Sequence, residues 1–246
     1  MAFSIHLVTS LIIFLIFLYY ILSYWYPSPY FTLDGGWQGI RIMLFVDIFL
    51  GPFLTLLFFK AGKPSLKFDM CIIAGIQCIA LAYGGWNVYD QRTAAVVYSF
   101  DGLYTRNPEQ IRYAGLTPEK VAKLSTETPP LIYLRLPKDK TARSRFIVDT
   151  YNKKKLVLDL GDRYEPMTDE NLQALLSSGM NMKELEKLGG NTIEQLKSFA
   201  ASNGSRIEDF VYIPLHGRYK NSLLAFRHSD GKIIGRPNVQ IPTQFN

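Results

Sequence analysis

Residues 40–59 read IRIMLFVDIFLGPFLTLLFF, a run of mostly apolar residues with one carboxylate, Asp47, and no turn signal before Gly51-Pro52. At ~1.5 Å rise per residue, a helix of this length crosses a hydrocarbon core of ~30 Å. Two comparable runs flank it, Ile5 to Tyr26 and Met70 to Tyr89, and everything after Gln91 is polar. The fold expected is therefore a membrane α-helical N-terminal region of three transmembrane helices, residues 1–90, followed by one exported domain, residues 91–246.

A secretory signal peptide is the competing reading of the first run. No Lys or Arg precedes it, it exceeds the usual apolar h-region, and it ends in Tyr24-Trp25-Tyr26-Pro27 instead of a small-residue cleavage site. It is expected to stay as a span. Orientation follows the cations: Lys60, Lys63 and Lys67 lie between the second and third runs, whereas the loop from Pro27 to Trp37 carries only Asp34. The lysine loop and the N-terminus are thus expected on the cytoplasmic side and the C-terminal domain on the other. Trp25, Tyr24, Tyr26, Trp86 and Tyr89 would form an aromatic belt at the outer interface.

The two cysteines, Cys71 and Cys78, both fall in the third run, so the exported domain has no disulfide. They are expected to be small residues packed inside the bundle. Asp47 lies near mid-membrane, where a charge costs at least ~2.5 kcal/mol, so it requires protein around it and a partner. Counting from the cytoplasmic turn brings Tyr83 to the same depth, with Gln77 about two turns nearer the cytoplasm; Tyr83 is the first expected partner and Gln77 the second. Arg41 can snorkel to the interface instead. Three roles suit Asp47: a hydrogen bond that fixes the bundle, reception of a polar group on a partner's helix, or a proton pathway. The last lacks a relay of further acids.

Pro52 removes a hydrogen bond to the carbonyl of Ile48, so a kink is expected at Gly51-Pro52. In the third run Ala74, Cys78 and Ala82 recur every four residues, and Ala80 and Gly84 form a second such pair. Either row permits close approach of another backbone, and packing on the protein's own spans is the expected use.

These residues carry a resemblance. Tyr26-Pro27-Ser28-Pro29-Tyr30-Phe31, Gly35-Gly36-Trp37-Gln38, Val46-Asp47, Leu50-Gly51-Pro52, Thr55, Lys63-Pro64, Gln77 and Ala80-Leu81-Ala82-Tyr83-Gly84 together resemble the type IV pilin accessory proteins of the TfpX/TfpZ type. The likeness covers about the first 92 residues and is looser beyond. It implies a multi-pass protein of the bacterial inner membrane, so that the orientation expected from the lysine loop makes the N-terminus cytoplasmic and the C-terminal domain periplasmic. It also implies a need for this protein in assembling a major type IV pilin into pili, and no catalytic residues. Because a pilin of that comparison has one membrane helix bearing a buried carboxylate and a head outside, a partner must offer surfaces to both. Asp47, Gly51, Pro52, Gln77, Tyr83 and Gly84 are the expected partner-binding residues, with pilus assembly platform proteins as further partners.

The exported domain reads as α+β with an antiparallel sheet. Ala94–Phe100 and Leu103–Thr105 form a hairpin about Asp101-Gly102. Thr117-Pro118 opens a short helix to Leu124. Strands are expected at 131–136, 145–149 and 155–160, helices from Thr168 and at 182–188 and 192–201, and strands again at 210–215, 222–227 and 232–234. From Gln91 onward there are 23 Lys and Arg against 17 Asp and Glu. The clusters at Lys138–Arg145 and Lys153–Lys155 read as solvated loops that can touch membrane lipid or an acidic partner. No nucleic-acid motif accompanies them.

Enzyme signatures are lacking too. His216 and His228 flank a hairpin and can be imagined approaching, yet no metal-ligand spacing accompanies them. His6 reads as an interfacial anchor, and Gly35-Gly36-Trp37-Gln38-Gly39 as a flexible turn without the Lys-Ser/Thr of a phosphate loop. The expectation is a protein without catalytic residues, metal or cofactor. The alternative to an assembly factor is a membrane-anchored periplasmic sensor acting through a separate partner, because the cytoplasm receives too little chain for an output domain. A transporter ranks third.

Overall fold

The computed structural model describes residues 2–60 and 62–241. The chain divides into two compact units, Met1–Arg92 and Thr93–Asn246. The last five residues of the expected domain, 242–246, lie outside the described residues.

The first unit holds three helices long and apolar enough to cross a membrane, Phe3–Trp25, Gly36–Phe58 and Leu66–Asp90; they are spans one, two and three. Span two starts earlier than its apolar run. Gly35 takes the left-handed conformation at φ 91° and turns the chain in, so Gly36 to Gly39 form the first helical turn and not a flexible one. A side chain at Gly36 would meet the Phe31 ring at 2.2 Å. At Gly51-Pro52 the interruption takes the form of a π-helical stretch, Phe45–Leu50, after which the α-helix resumes with Pro52 in its first turn. A proline tolerated there has no N–H to satisfy, and the wider turn makes room for its ring.

Phe14, Ile21, Tyr26, Ile40, Met43 and Val88 form the core of this unit. Tyr26 is therefore not part of an aromatic belt: it is buried, and its hydroxyl donates to the Val88 carbonyl at 3.0 Å. Trp25 instead stands edge-on to Tyr89, with ring centroids 5.2 Å apart. Cys71 and Cys78 are exposed, not packed inside the bundle.

The second unit is a sheet with helices, mostly antiparallel. Its strands are β1 (Ala95–Ser99), β2 (Gly102–Arg106), β3 (Leu131–Leu134), β4 (Tyr164–Pro166), β5 (Phe210–His216), β6 (Asn221–Arg227), β7 (Ile233–Gly235) and β8 (Gln240–Ile241). Their order is β4-β3-β1-β2-β5-β6-β7, with β8 also on β6. The β1–β2 hairpin turns at Asp101-Gly102 as its sequence requires, while β1–β3 and β2–β5 are parallel. One apolar core packs Ile111 and Val121 on β1 and β3; a second packs Leu185, Leu196 and Ala200 on β5 and β6.

Two expected strands are absent. Residues 145–149 lie within helix Lys140–Asn152, whose N-cap Asp139 accepts a hydrogen bond from the Ala142 amide at 2.8 Å. The basic cluster from Lys138 thus opens a helix and is not a loop. Residues 155–160 carry the 3-10 turn Val157–Asp159. The helix after Thr117 closes at Ala122, short of Leu124. A helix not foreseen, Pro108–Tyr113, carries a capping box between Asn107 and Gln110. His216 and His228 do not approach: His216 pairs with Asn221 at one end of the β5–β6 hairpin, and His228 follows Arg227, which pairs with Phe210 at the other.

Candidate functional site

Polar side chains of all three spans meet on one side of the first unit. His6, Thr9 and Ser10 recur at i, i+3 and i+4 of span one and so share a face. His6 Nε2 donates to Gln77 Oε1 of span three at 2.7 Å, and its Nδ1 meets the Thr55 hydroxyl of span two. Thr55 also donates to the Gly51 carbonyl at 3.2 Å. His6 is thus the node that ties three helices together, not an interfacial anchor.

Beside this network lies a cavity of about 350 Å³, bordered by His6, Ser10, Asp47, Ala74 and Gln77 among others. Asp47 is 5% exposed, and its Oδ2 is buried with no hydrogen-bond partner among the described residues. Neither expected partner reaches it. Tyr83 is 71% exposed, and Gln77 is engaged with His6. A second, apolar cavity of about 570 Å³ continues along span three past Phe17, Trp25, Gly85 and Tyr89, sharing Cys78 and Leu81 with the first. Gly85 admits the Phe17 ring, which a side chain there would meet at 2.7 Å.

Of the six expected residues, the structure brings Asp47, Gly51, Pro52 and Gln77 to one region. Gly51 and Pro52 are buried, and a Cβ on Gly51 would sit 1.7 Å from Gln77 Nε2. Gly84 lies away from the cavity, with Met43 the nearest atom to a Cβ there, and Tyr83 points outward. The row Ala74, Cys78 and Ala82 is exposed, so it does not pack on the protein's own spans. The sequence reading took His6 for an interfacial anchor and overlooked Thr9, Ser10 and the bonding role of Thr55; the helical spacing of His6, Thr9 and Ser10 was the available signal.

In the second unit, Arg106 and Asp159 form a buried ion pair at 2.6 Å. His216 stacks on Tyr104, whose hydroxyl donates to Asp101 at 2.9 Å. Burial holds the His216 imidazole below its ordinary range, with the Asp101 charge opposing. Burial also pushes the Tyr164 and Tyr212 phenols up to about 12. No cluster of three or more metal-ligating side chains occurs among the described residues.

No family model and no solved structure matches the chain. Three fimbrial assembly proteins of Dichelobacter nodosus, from serogroup E1, serogroups C1 and C2, and serogroup I, are each 31% identical to it over 105 residues, 41% of this chain. The match spans 40% of the length of the E1 and I proteins and 78% of the C1 and C2 protein. At that identity, and with more than three-quarters of one relative covered, this chain belongs to the family of fimbrial assembly proteins.

Proposed function

We propose that the protein is an inner-membrane accessory factor of type IV pilus assembly, of the TfpX/TfpZ type, that binds a pilin subunit and promotes its stability or incorporation. In this reading the N-terminus is cytoplasmic and the second unit periplasmic. The spans hold the pilin's membrane helix, the periplasmic unit touches its head, and platform proteins receive the subunit. No reaction is catalysed. The relatives' role in fimbrial assembly supports the pathway. The observation that carries the binding role is Asp47, a buried carboxyl unpartnered among the described residues, beside a cavity that opens along span three. A group of that kind is unfavourable in the membrane unless something docks on it.

The test is purification of the full-length protein from piliated cells in mild detergent, together with deletion of its gene. The expected outcome is co-purification of the major pilin, and loss of surface pili with pilin still synthesised. Co-purification of a signalling or transport component without pilin, in a deletion strain that still makes pili, would overturn the reading.

A further inference from the structure

Span one packs along the π-helical and C-terminal parts of span two, and span three along its two α-helical parts. Spans one and three are joined at a few points, His6 to Gln77 and Phe17 to Gly85 among them. Between them the two cavities form one groove, since Cys78 and Leu81 line both. Its lining on span three runs from Met70 to Tyr89. The nineteen steps between them at ~1.5 Å rise give ~29 Å, the thickness of the hydrocarbon core. A groove of that length fits an element that itself crosses the membrane.

The floor has the character of a helix-packing surface. Ala74, Cys78 and Ala82 are small, exposed and four residues apart, and span three is the least buried of the spans. Such a row alone would say nothing of an occupant. Asp47 says more, for it is buried, borders the groove and has an Oδ2 that accepts no hydrogen bond from the described residues. Lysine and arginine are absent from the groove's lining among the described residues. An acyl chain would fill the space but offer no hydrogen-bond donor to the Asp47 carboxyl.

We infer that the groove between spans one and three docks a single apolar transmembrane helix of another protein, and that this helix presents a hydrogen-bond donor to Asp47. Small residues set the closeness of approach, and the donor sets the register. This deepens the pilus reading and rests on it only for where the partner is sought.

The test places a photo-crosslinking side chain at Ile13 or Trp86, which line the groove, and at Ile72 or Ile76 on the far side of span three, in the full-length protein in membranes of piliated cells. The groove probes are expected to capture one polypeptide through its apolar helix, about tenfold more than the far-side probes. Asp47→Leu should reduce that capture about twofold to tenfold, the worth of one hydrogen bond. Asp47→Asn keeps an acceptor oxygen and should retain most of it. Cys78→Phe adds bulk at an exposed position and should block capture independently of Asp47. Equal capture from both faces, adducts only with lipid or a second copy of this chain, or undiminished capture in Cys78→Phe would each overturn the inference. Pilin captured only from the second unit would sink the groove and leave the pilus reading standing. A helix from outside the pilus system in the groove would do the reverse.

Discussion

Replacing Asp159 with Asn should destabilise the second unit by about 3 kcal/mol. The value follows from what Arg106 would lose. Its Nη2 lies 2.6 Å from Asp159 Oδ1, and the two side chains are only 6% and 11% exposed. What remains is a contact from Nη2 to the Gln110 carbonyl at 3.4 Å and one to the Tyr164 hydroxyl, while Nε is buried without a partner among the described residues. A guanidinium left in that position is an uncompensated buried charge, for which removal of a partner costs about 3–5 kcal/mol. Asn is chosen because its carbonyl can keep the hydrogen bond that Asp159 accepts from the Leu156 amide at 3.2 Å, so the charge is tested and not the turn. The assay is hydrogen exchange in β1, β2 and β3 of the full-length protein in detergent, where 3 kcal/mol appears as about a hundredfold rise in the opening constant. Two controls give the reasoning its edge. Arg106→Met with Asp159→Asn, which removes both charges and keeps the bond from the Leu156 amide, should lie much nearer wild type. Breaking the Lys138–Glu170 pair, also short at 2.8 Å but 88% and 78% exposed, should leave exchange unchanged. Protection within about threefold of wild type in Asp159→Asn, or a double variant as weak as the single, would refute the argument.

Two further outcomes are expected. His216 binds its proton less readily folded than unfolded, so its contribution to stability is full above the unfolded value of about 6.5 and erodes as pH falls below it; the guanidinium midpoint of the second unit should fall with acidification over that window, and His216→Phe should reduce the slope. Gly51→Ala in span two would put a methyl 1.7 Å from Gln77 Nε2, so the Gln77 amide must shift and the bond from His6 is strained, lowering the melting temperature in detergent and the number of pili, whereas Gly75→Ala in span three meets nothing within 4 Å and should leave stability unchanged or raise it by up to about 1 kcal/mol.

Features fixed by local chemistry were legible in the sequence. Each span is a sum of apolar transfer terms over some twenty residues, and errors at single positions do not matter. The β1–β2 hairpin at Asp101-Gly102 and the caps at Thr117 and Thr168 follow from side chains acting within three residues. The failure at 145–149 has the same origin. Phe146-Ile147-Val148 has strand composition, but the deciding element is Asp139, which caps a helix through polar residues that read as a solvated loop. Residues 155–160 were only partly legible, because the Leu156 amide bonds Asp159 locally while Asp159 is also held by Arg106, 53 positions earlier.

The candidate site failed on a different coordinate. Matching distances from the cytoplasmic turn put Tyr83 level with Asp47, and level is all that such counting can give. Six residues separate Gln77 from Tyr83, which at ~100° per residue turns the side chain by about 240° around span three. The structure accordingly binds Gln77 to His6 and leaves Tyr83 facing outward. That azimuth also isolates Asp47. His6, Thr55 and Gln77 satisfy one another and hold the three spans together, so the bundle has no need of a carboxyl at position 47. A well-packed apolar residue there would be at least as stable, since a buried carboxyl without a partner is a net loss. Asp47→Leu should therefore leave the spans folded. If its melting temperature in detergent matches or exceeds wild type while pili are lost, the role of Asp47 lies in what docks on it; a fall in melting temperature would return it to the bundle's own architecture.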